Sequence, residues 1–314
     1  MRGFALKSFG EQGSVMELPE PKAREGDVLL RIKAAGVNAF DPWVVQGAMK
    51  DAMEHRFPLV PGVEASGVVE EVGSGATDLF AKGDEVYGVS VKPFLGEGTF
   101  AELATFAPDG LSSKPASVEH VEAAGLPHTG LTALTAMDEI EPRDGEVVLV
   151  VGATGGVGSS VTQLAAARGA RVIAVASAER ADYARELGAS ETIDYAKGDL
   201  VELVRSAQPD GVDALADFYS DGPALARLSE IVRPGGKVLS SSGAADPELL
   251  AQRGLRGGNI NRASPERLPE LTQLVDEKQL QPPSTQVFRL ERAGEALEQM
   301  QSRHVRGKLV ISME

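Results

Sequence analysis

The sequence contains no cysteine in 314 residues. Disulfides, thiolate zinc sites and a cysteine nucleophile are excluded at once. Histidine is scarce: His55, His120, His128 and His304 stand apart, with no HxxxH pairing. Nothing in the pattern points to a metal site, since two imidazoles one helical turn apart are the usual signature. Positive charge is in deficit. There are 31 Lys and Arg against 46 Asp and Glu, a formal net charge of −15. No basic stripe offsets it, which argues against a nucleic-acid partner. No apolar run reaches the roughly 18 residues that would suggest a bilayer span. The opening MRGFALKSFG is too polar for a signal peptide, so a cytoplasmic location is expected. Internal repeats and low-complexity linkers are also missing. What remains, 42% hydrophobic and 25% charged, is ordinary for a globular protein, and the length suggests two domains.

What is present is organised around residues 146–177, EVVLVVGATGGVGSSVTQLAAARGARVIAVAS. Val147 to Val151 is an unbroken apolar run, as expected of a strand buried on both faces of a parallel sheet. A glycine turn follows, with Gly155, Gly156 and Gly158, and then a helix carrying Val161, Leu164 and Ala165. Gly169 ends that helix and Val172 to Ala176 forms the next strand. Glycines let a backbone approach a pyrophosphate, and a helix N-terminus offers it unpaired N–H groups and a positive dipole end. Ala153 replaces the first glycine of the GxGxxG template, but the strand before and the helix after supply the context that confirms the motif.

The end of the second strand chooses the nucleotide. An NAD site places an acid about 20 residues on, to bind the ribose 2′-hydroxyl. Ser177 stands there, and Arg180 follows three residues later. A hydroxyl can donate to a 2′-phosphate that an acid would repel, so NADP(H) is expected over NAD(H).

Residues 1–122 read as a barrel-like β domain of short strands, among them Asp27–Ala35, with Val28, Leu30 and Ile32 on one face. Residues 92–98, KPFLGEG, read either as an ordinary connection or as a loop over an active site. From Ser117 helices take over. Strands at Val147–Val151, Val172–Ala176, Thr192–Ile193, Val212–Ala216 and Val238–Ser241 then alternate with helices, the pattern of a doubly wound parallel sheet. After about residue 262 the alternation stops.

The segments AAGVNAFD (34–41), FPLVPGVEASGVVEEVG (57–73), KGDEVYG (82–88), GTFAE (98–102), AAGLPHTGLTA (123–133), VVGATGGVGS (151–159), ELGASETIDY (186–195), RPGGKV (233–238) and RGKLVI (306–311) run end to end. In them the chain resembles the zinc-free medium-chain dehydrogenases/reductases, the quinone oxidoreductase and zeta-crystallin-like branch. The resemblance implies an α/β fold in which a GroES-like β-barrel domain (1–122) carries an inserted Rossmann domain with a doubly wound parallel sheet (123–262), and 263–314 returns to the first domain. It implies a homodimer, with cofactor and substrate in the interdomain cleft. Zinc members carry a cysteine near position 38 and Gly-His-Glu at 62–64. Asn38 and Gly62-Val63-Glu64 stand here, so no zinc is expected.

Site roles follow residue by residue from the resemblance. Thr129 matches the residue facing the nicotinamide. Gly155, Gly156 and Val157 match the pyrophosphate turn, and Ser177 and Arg180 fall in the 2′-phosphate region. Tyr195 matches a position beside the adenosine phosphate. Ser241, Ser242 and Gly243 match the loop lining the cofactor, and Lys308 a lysine near the cleft. Asn38 is a candidate for holding a substrate or ribose oxygen. Trp43 replaces a tyrosine frequent in quinone reductases; an indole cannot supply a phenolic proton but can stack on a planar ring. Asp41 reads as a helix cap. Tyr219 and His128 are weak candidates for a proton donor, with solvent as the alternative. The expected reaction is hydride transfer from NADPH to a small planar carbonyl compound, a quinone or an α,β-unsaturated carbonyl, without zinc. An enoyl-thioester or alkenal reductase, and a low-turnover NADPH-binding redox sensor, are the rival readings.

Overall fold

The computed structural model describes residues 1–90, 92–260, 264–302 and 305–314. His304 and the expected boundary at 262/263 lie outside them. The chain divides into two compact units. Met1–His128, Pro265–Lys278 and Pro282–Glu314 form the first, and Thr129–Ser264 with Gln279–Gln281 form the second.

The first unit is built on the strand Val28–Val37. Its alternation puts Val28, Leu30 and Ile32 into one core, with Phe4, Phe100, Phe106, Leu309 and Ile311. Glu64–Val72, Leu103–Phe106 and Lys308–Ser312 all pair with it antiparallel. Glu85–Val89 and Leu111–Ser113 extend this seven-stranded sheet on one side, and Thr285–Arg289 on the other. The two strands near the C-terminus therefore belong to the same sheet as Val28–Val37.

Two strands of this unit carry no readable alternation. Phe94–Glu97, inside the stretch read as an ordinary connection or a loop over an active site, pairs in parallel with Glu54–Val60. Neither has a buried face along its length: five of the seven residues from Glu54 are exposed. Period-2 patterning exists only where one face of a strand is buried.

The second unit is a six-stranded parallel sheet. In chain order its strands are Val147–Val151, Arg171–Val175, Glu191–Ile193, Val212–Asp217, Val232–Ser240 and Arg256–Asn259. Their spatial order is 3-2-1-4-5-6, the arrangement of dinucleotide-binding sheets. All five residues of the first strand are buried, as its unbroken apolar run demands. The helix Gly156–Ala167 packs against it through Val161, Leu164 and Ala165. The sixth strand, RGGN, has two glycines and no large apolar residue, so it leaves no hydrophobic signal in the sequence.

Candidate functional site

In the second unit the strand order reverses between the first strand and the fourth, and ligands of such sheets bind outside the carboxyl ends of the strands at that point. The glycine turn leaves the first strand there. Gly152 turns the chain at φ 74°. Gly155 is the N-cap of Gly156–Ala167, and no side chain caps that helix. The first-turn N–H groups have no intrahelical acceptor, which makes this terminus a candidate anion site. The glycines differ in what they do. A Cβ on Gly158 would collide with the Gly152 carbonyl oxygen, so its absence lets the helix close on the turn. A Cβ on Gly155 would meet only that oxygen, at 3.3 Å, an accommodation the fold can make.

The other expected nucleotide residues follow neighbouring strands at the same edge. Ser177 comes after the second strand, half-buried, and begins a short 3-10 turn that contains Arg180. Tyr195 follows the third strand and is half-exposed. Ser241 and Gly243 are exposed after the fifth strand, whereas the Ser242 hydroxyl is turned inward and donates to the Ser220 carbonyl at 2.8 Å. Behind them lies Asp217, fully buried at the end of the fourth strand. Its Oδ1 accepts the Tyr219 and Ser220 amides at 2.9 and 2.7 Å. Burial raises its carboxyl above the usual range against the pull of those donors. Thr129 is buried near the start of the helix Pro127–Ile140.

The first unit holds a second constellation, built from buried charge. Asn38 ends the central strand's run and is 4% exposed. Its Nδ2 donates to Glu64 Oε1 at 2.8 Å, and its Oδ1 accepts from Lys308 Nζ at 2.6 Å. Lys308 Nζ also lies 2.6 Å from Glu64 Oε1, which closes a ring of three side chains. Glu64 Oε2 accepts the His128 amide at 2.7 Å. Gly36 makes room for this: a Cβ there would strike the Glu64 carboxylate and the Ala124 carbonyl. Burial pushes the Glu64 carboxyl up, but Lys308 and His128 together hold it below its ordinary range. Burial likewise pushes the His128 imidazole down, opposed by Glu64 and aided by Lys308.

Asp41 sits beside this ring in the helix Phe40–Val45. It accepts the Asn38 main-chain N–H through Oδ2 at 2.7 Å, which fixes the turn into the helix much as a cap would. The N-cap position itself belongs to Ala39. Among the described residues the Asp41 Oδ1 is buried with no hydrogen-bond partner. Burial pushes its carboxyl up to about 7, against the Asn38 amide and the Lys308 charge. Trp43 lies two residues further along the same short helix and is 47% exposed. Among the described residues, no group of three or more His, Asp and Glu side chains is arranged to hold a metal ion.

Of the residues expected from the sequence, the structure thus joins Asn38 directly to Lys308. It places Gly155, Gly156, Val157, Ser177, Tyr195 and Ser241–Gly243 along one edge of the parallel sheet. Lys308 is 3% exposed, and its ammonium is engaged by Glu64 and Asn38. Glu64 was not singled out as a site residue. The available signal was an acid flanked by Val63 and Ala65 at the head of an apolar strand, a place where a carboxylate needs a cation partner.

Comparison with known proteins agrees with this architecture. Residues 24–116 match the model of the alcohol dehydrogenase GroES-like domain. Residues 187–311 match that of a zinc-binding dehydrogenase domain. The chain is 32% identical to the chloroplastic NADPH-dependent alkenal/one oxidoreductase of Arabidopsis thaliana, over 93% of this chain and 73% of that protein. It is 30% identical to a mitochondrial NAD(P)H oxidoreductase of Homo sapiens, over 91% of this chain and 82% of that protein. Its fold is similar to the quinone oxidoreductase from Coxiella burnetii, with a TM-score of 0.88 and 29% identity, covering 100% of this chain and 99% of that one.

Proposed function

We propose that this chain, which belongs to the medium-chain dehydrogenase/reductase family, is an NADPH-dependent reductase of quinones or α,β-unsaturated carbonyls that works without zinc. Relatives named for alkenal/one and quinone reduction support the acceptor class. The observation that carries the reading is the occupied carboxylate of Glu64. Its Oε1 is bound to an ammonium and an amide, and its Oε2 to a main-chain N–H. A zinc ion does not fit beside Lys308, which already supplies the positive charge that this carboxylate needs.

NADPH would supply the hydride, held by the first-turn amides of Gly156, Val157 and Gly158, with Gly155 allowing close approach. Ser177 and Arg180 are assigned to the 2′-phosphate, Tyr195 and the loop Ser241–Gly243 to the rest of the nucleotide, and Thr129 to the nicotinamide. When hydride reaches a quinone or enone, negative charge develops on the carbonyl oxygen. A positioned hydrogen-bond donor stabilises it. Asn38 has one Nδ2 hydrogen beyond the one given to Glu64, and that donor is assigned to the substrate oxygen. The exposed face of Trp43 offers a stacking surface for a planar ring. The final proton comes from solvent.

No helix among the described residues is long and apolar enough to cross a membrane. A cytoplasmic homodimer is proposed from the sequence and the resemblance alone; sedimentation of the purified chain at twice the monomer mass tests the dimer. The reaction is tested by following NADPH oxidation with a 1,4-quinone, an alkenal, a cyclic enone and an enoyl-CoA, with and without a chelator. Turnover of quinone or enone, unchanged by chelation, is expected. Tight NADPH binding with no turnover on any acceptor would leave a redox sensor instead.

A further inference from the structure

Buried ion pairs are poor stabilisers, because the desolvation of two charges offsets most of their attraction. The Glu64–Lys308 pair is wholly buried, with side-chain exposures of 0% and 3%. It also does something a pair alone does not: it closes a ring through the side-chain amide of Asn38. An amide held only by neutral partners can rotate by half a turn at little cost. Here rotation would set Asn38 Nδ2 against an ammonium and Oδ1 against a carboxylate. Both contacts would be repulsive in a site shielded from water. The orientation of Asn38 is thus dictated by charge.

We propose that Glu64 and Lys308 are a positioning pair that locks the Asn38 amide in one orientation, so that its remaining N–H stands ready as a donor to the substrate oxygen. The inference rests on the reductase reading above and deepens it. Glu64 extends the lock through Oε2, which holds the amide of His128, the residue preceding Thr129. The main chain of Asn38 is held separately by Asp41. The charged and titratable groups around Glu64 are then Lys308 on the last strand, His128 at the start of its helix and Asp41 on the short helix.

The experiment separates positioning from mere structure by removing both charges together. Lys308→Met leaves a carboxylate buried without its cation, so it lowers Tm and also lowers kcat. Its Glu64 carboxyl rises in pKa, and a new ionisation enters the pH profile of kcat. The double variant Glu64→Gln/Lys308→Met carries neither charge of the pair and recovers Tm at pH 6, where the neighbouring Asp41 is mostly protonated. Its Asn38 is no longer oriented, so kcat stays about 10²-fold or more below wild type, the cost of an oxyanion donor. NADPH affinity stays within a factor of about two. Lys308→Arg, which keeps the charge, recovers part of kcat. A readout independent of turnover is hydrogen exchange of the Asn38 side-chain amide by NMR, assigned through Asn38→Asp. Those protons are expected to be protected in the wild type and to lose protection in the double variant. A double variant with wild-type kcat, or with Asn38 protons still protected, overturns the proposal. If the wild type reduces none of the acceptors, the reductase reading fails by itself, and the exchange measurement still decides whether the pair locks Asn38.

Discussion

At the scale of single residues, Asp41 ties pH to stability. Burial lifts its carboxyl to about 7 from an ordinary 3.8. The folded chain therefore keeps a proton that the unfolded chain has already released. The contribution is present below the unfolded value and is lost as pH rises towards about 7, then stays level. The slope within that window approaches about 1.4 kcal/mol per pH unit. Asp41→Asn removes the ionisation and keeps an acceptor for the Asn38 amide. Urea unfolding should find the variant more stable than wild type at pH 8, by on the order of a few kcal/mol, with the advantage shrinking towards pH 4. An equal difference at both pH values would refute the assignment. Ser177 carries a different prediction. Ser177→Asp sets a carboxylate against the 2′-phosphate, and like charges brought together cost several kcal/mol. The ratio of NADPH to NADH affinity should fall at least about tenfold; an unchanged ratio would show that Ser177 is remote from the ribose.

At the scale of elements, the turn before Gly156–Ala167 assigns two glycines to two tasks. Gly158 is pressed against the Gly152 carbonyl, and a methyl there must push helix and strand apart. Overpacking of this kind costs about 1–3 kcal/mol. Gly155 has φ −81° and only a mild contact, so alanine is tolerated by the fold but stands where we propose that the nucleotide passes. Gly158→Ala is thus expected to lower Tm together with NADPH affinity, and Gly155→Ala to lower affinity while Tm holds. Calorimetry and fluorescence titration distinguish the two; equal losses of Tm would refute the division of labour. Val147–Val151 was legible because every residue is apolar and buried, and Val28–Val37 because one face alternates. Glu54–Val60, Phe94–Glu97 and Arg256–Asn259 were missed because their pairing is made by backbone, with no buried face to write a period.

At the scale of the whole molecule, ligand binding and stability are linked. A nucleotide that binds only the folded chain adds about 2.7 kcal/mol at one hundred times its Kd. Thermal melts in NADPH should move upward with concentration and more steeply than in NADH at equal concentration. The absence of any shift in NADPH would contradict a nucleotide site in the second unit.

The turn proposed for the nucleotide is legible in the amino-acid order, because everything that makes it is local. A buried strand, glycines and an uncapped helix follow one another within the Val147–Ala167 stretch, and Ser177 closes the next strand. The absence of cysteine likewise settled the thiolate chemistry in advance. What Asn38, Glu64 and Lys308 are to each other depends on how the strands pair. Asn38 lies 26 residues from Glu64 and 270 from Lys308. A lysine in RGKLV reads in isolation as a cation available to a ligand. It becomes part of a closed ring because Lys308–Ser312 pairs with Val28–Val37, which in turn pairs with Glu64–Val72, and that register brings the ammonium, the amide and the carboxylate together. Three polar groups buried together must satisfy one another, and the order in which they do so is a property of the assembled sheet.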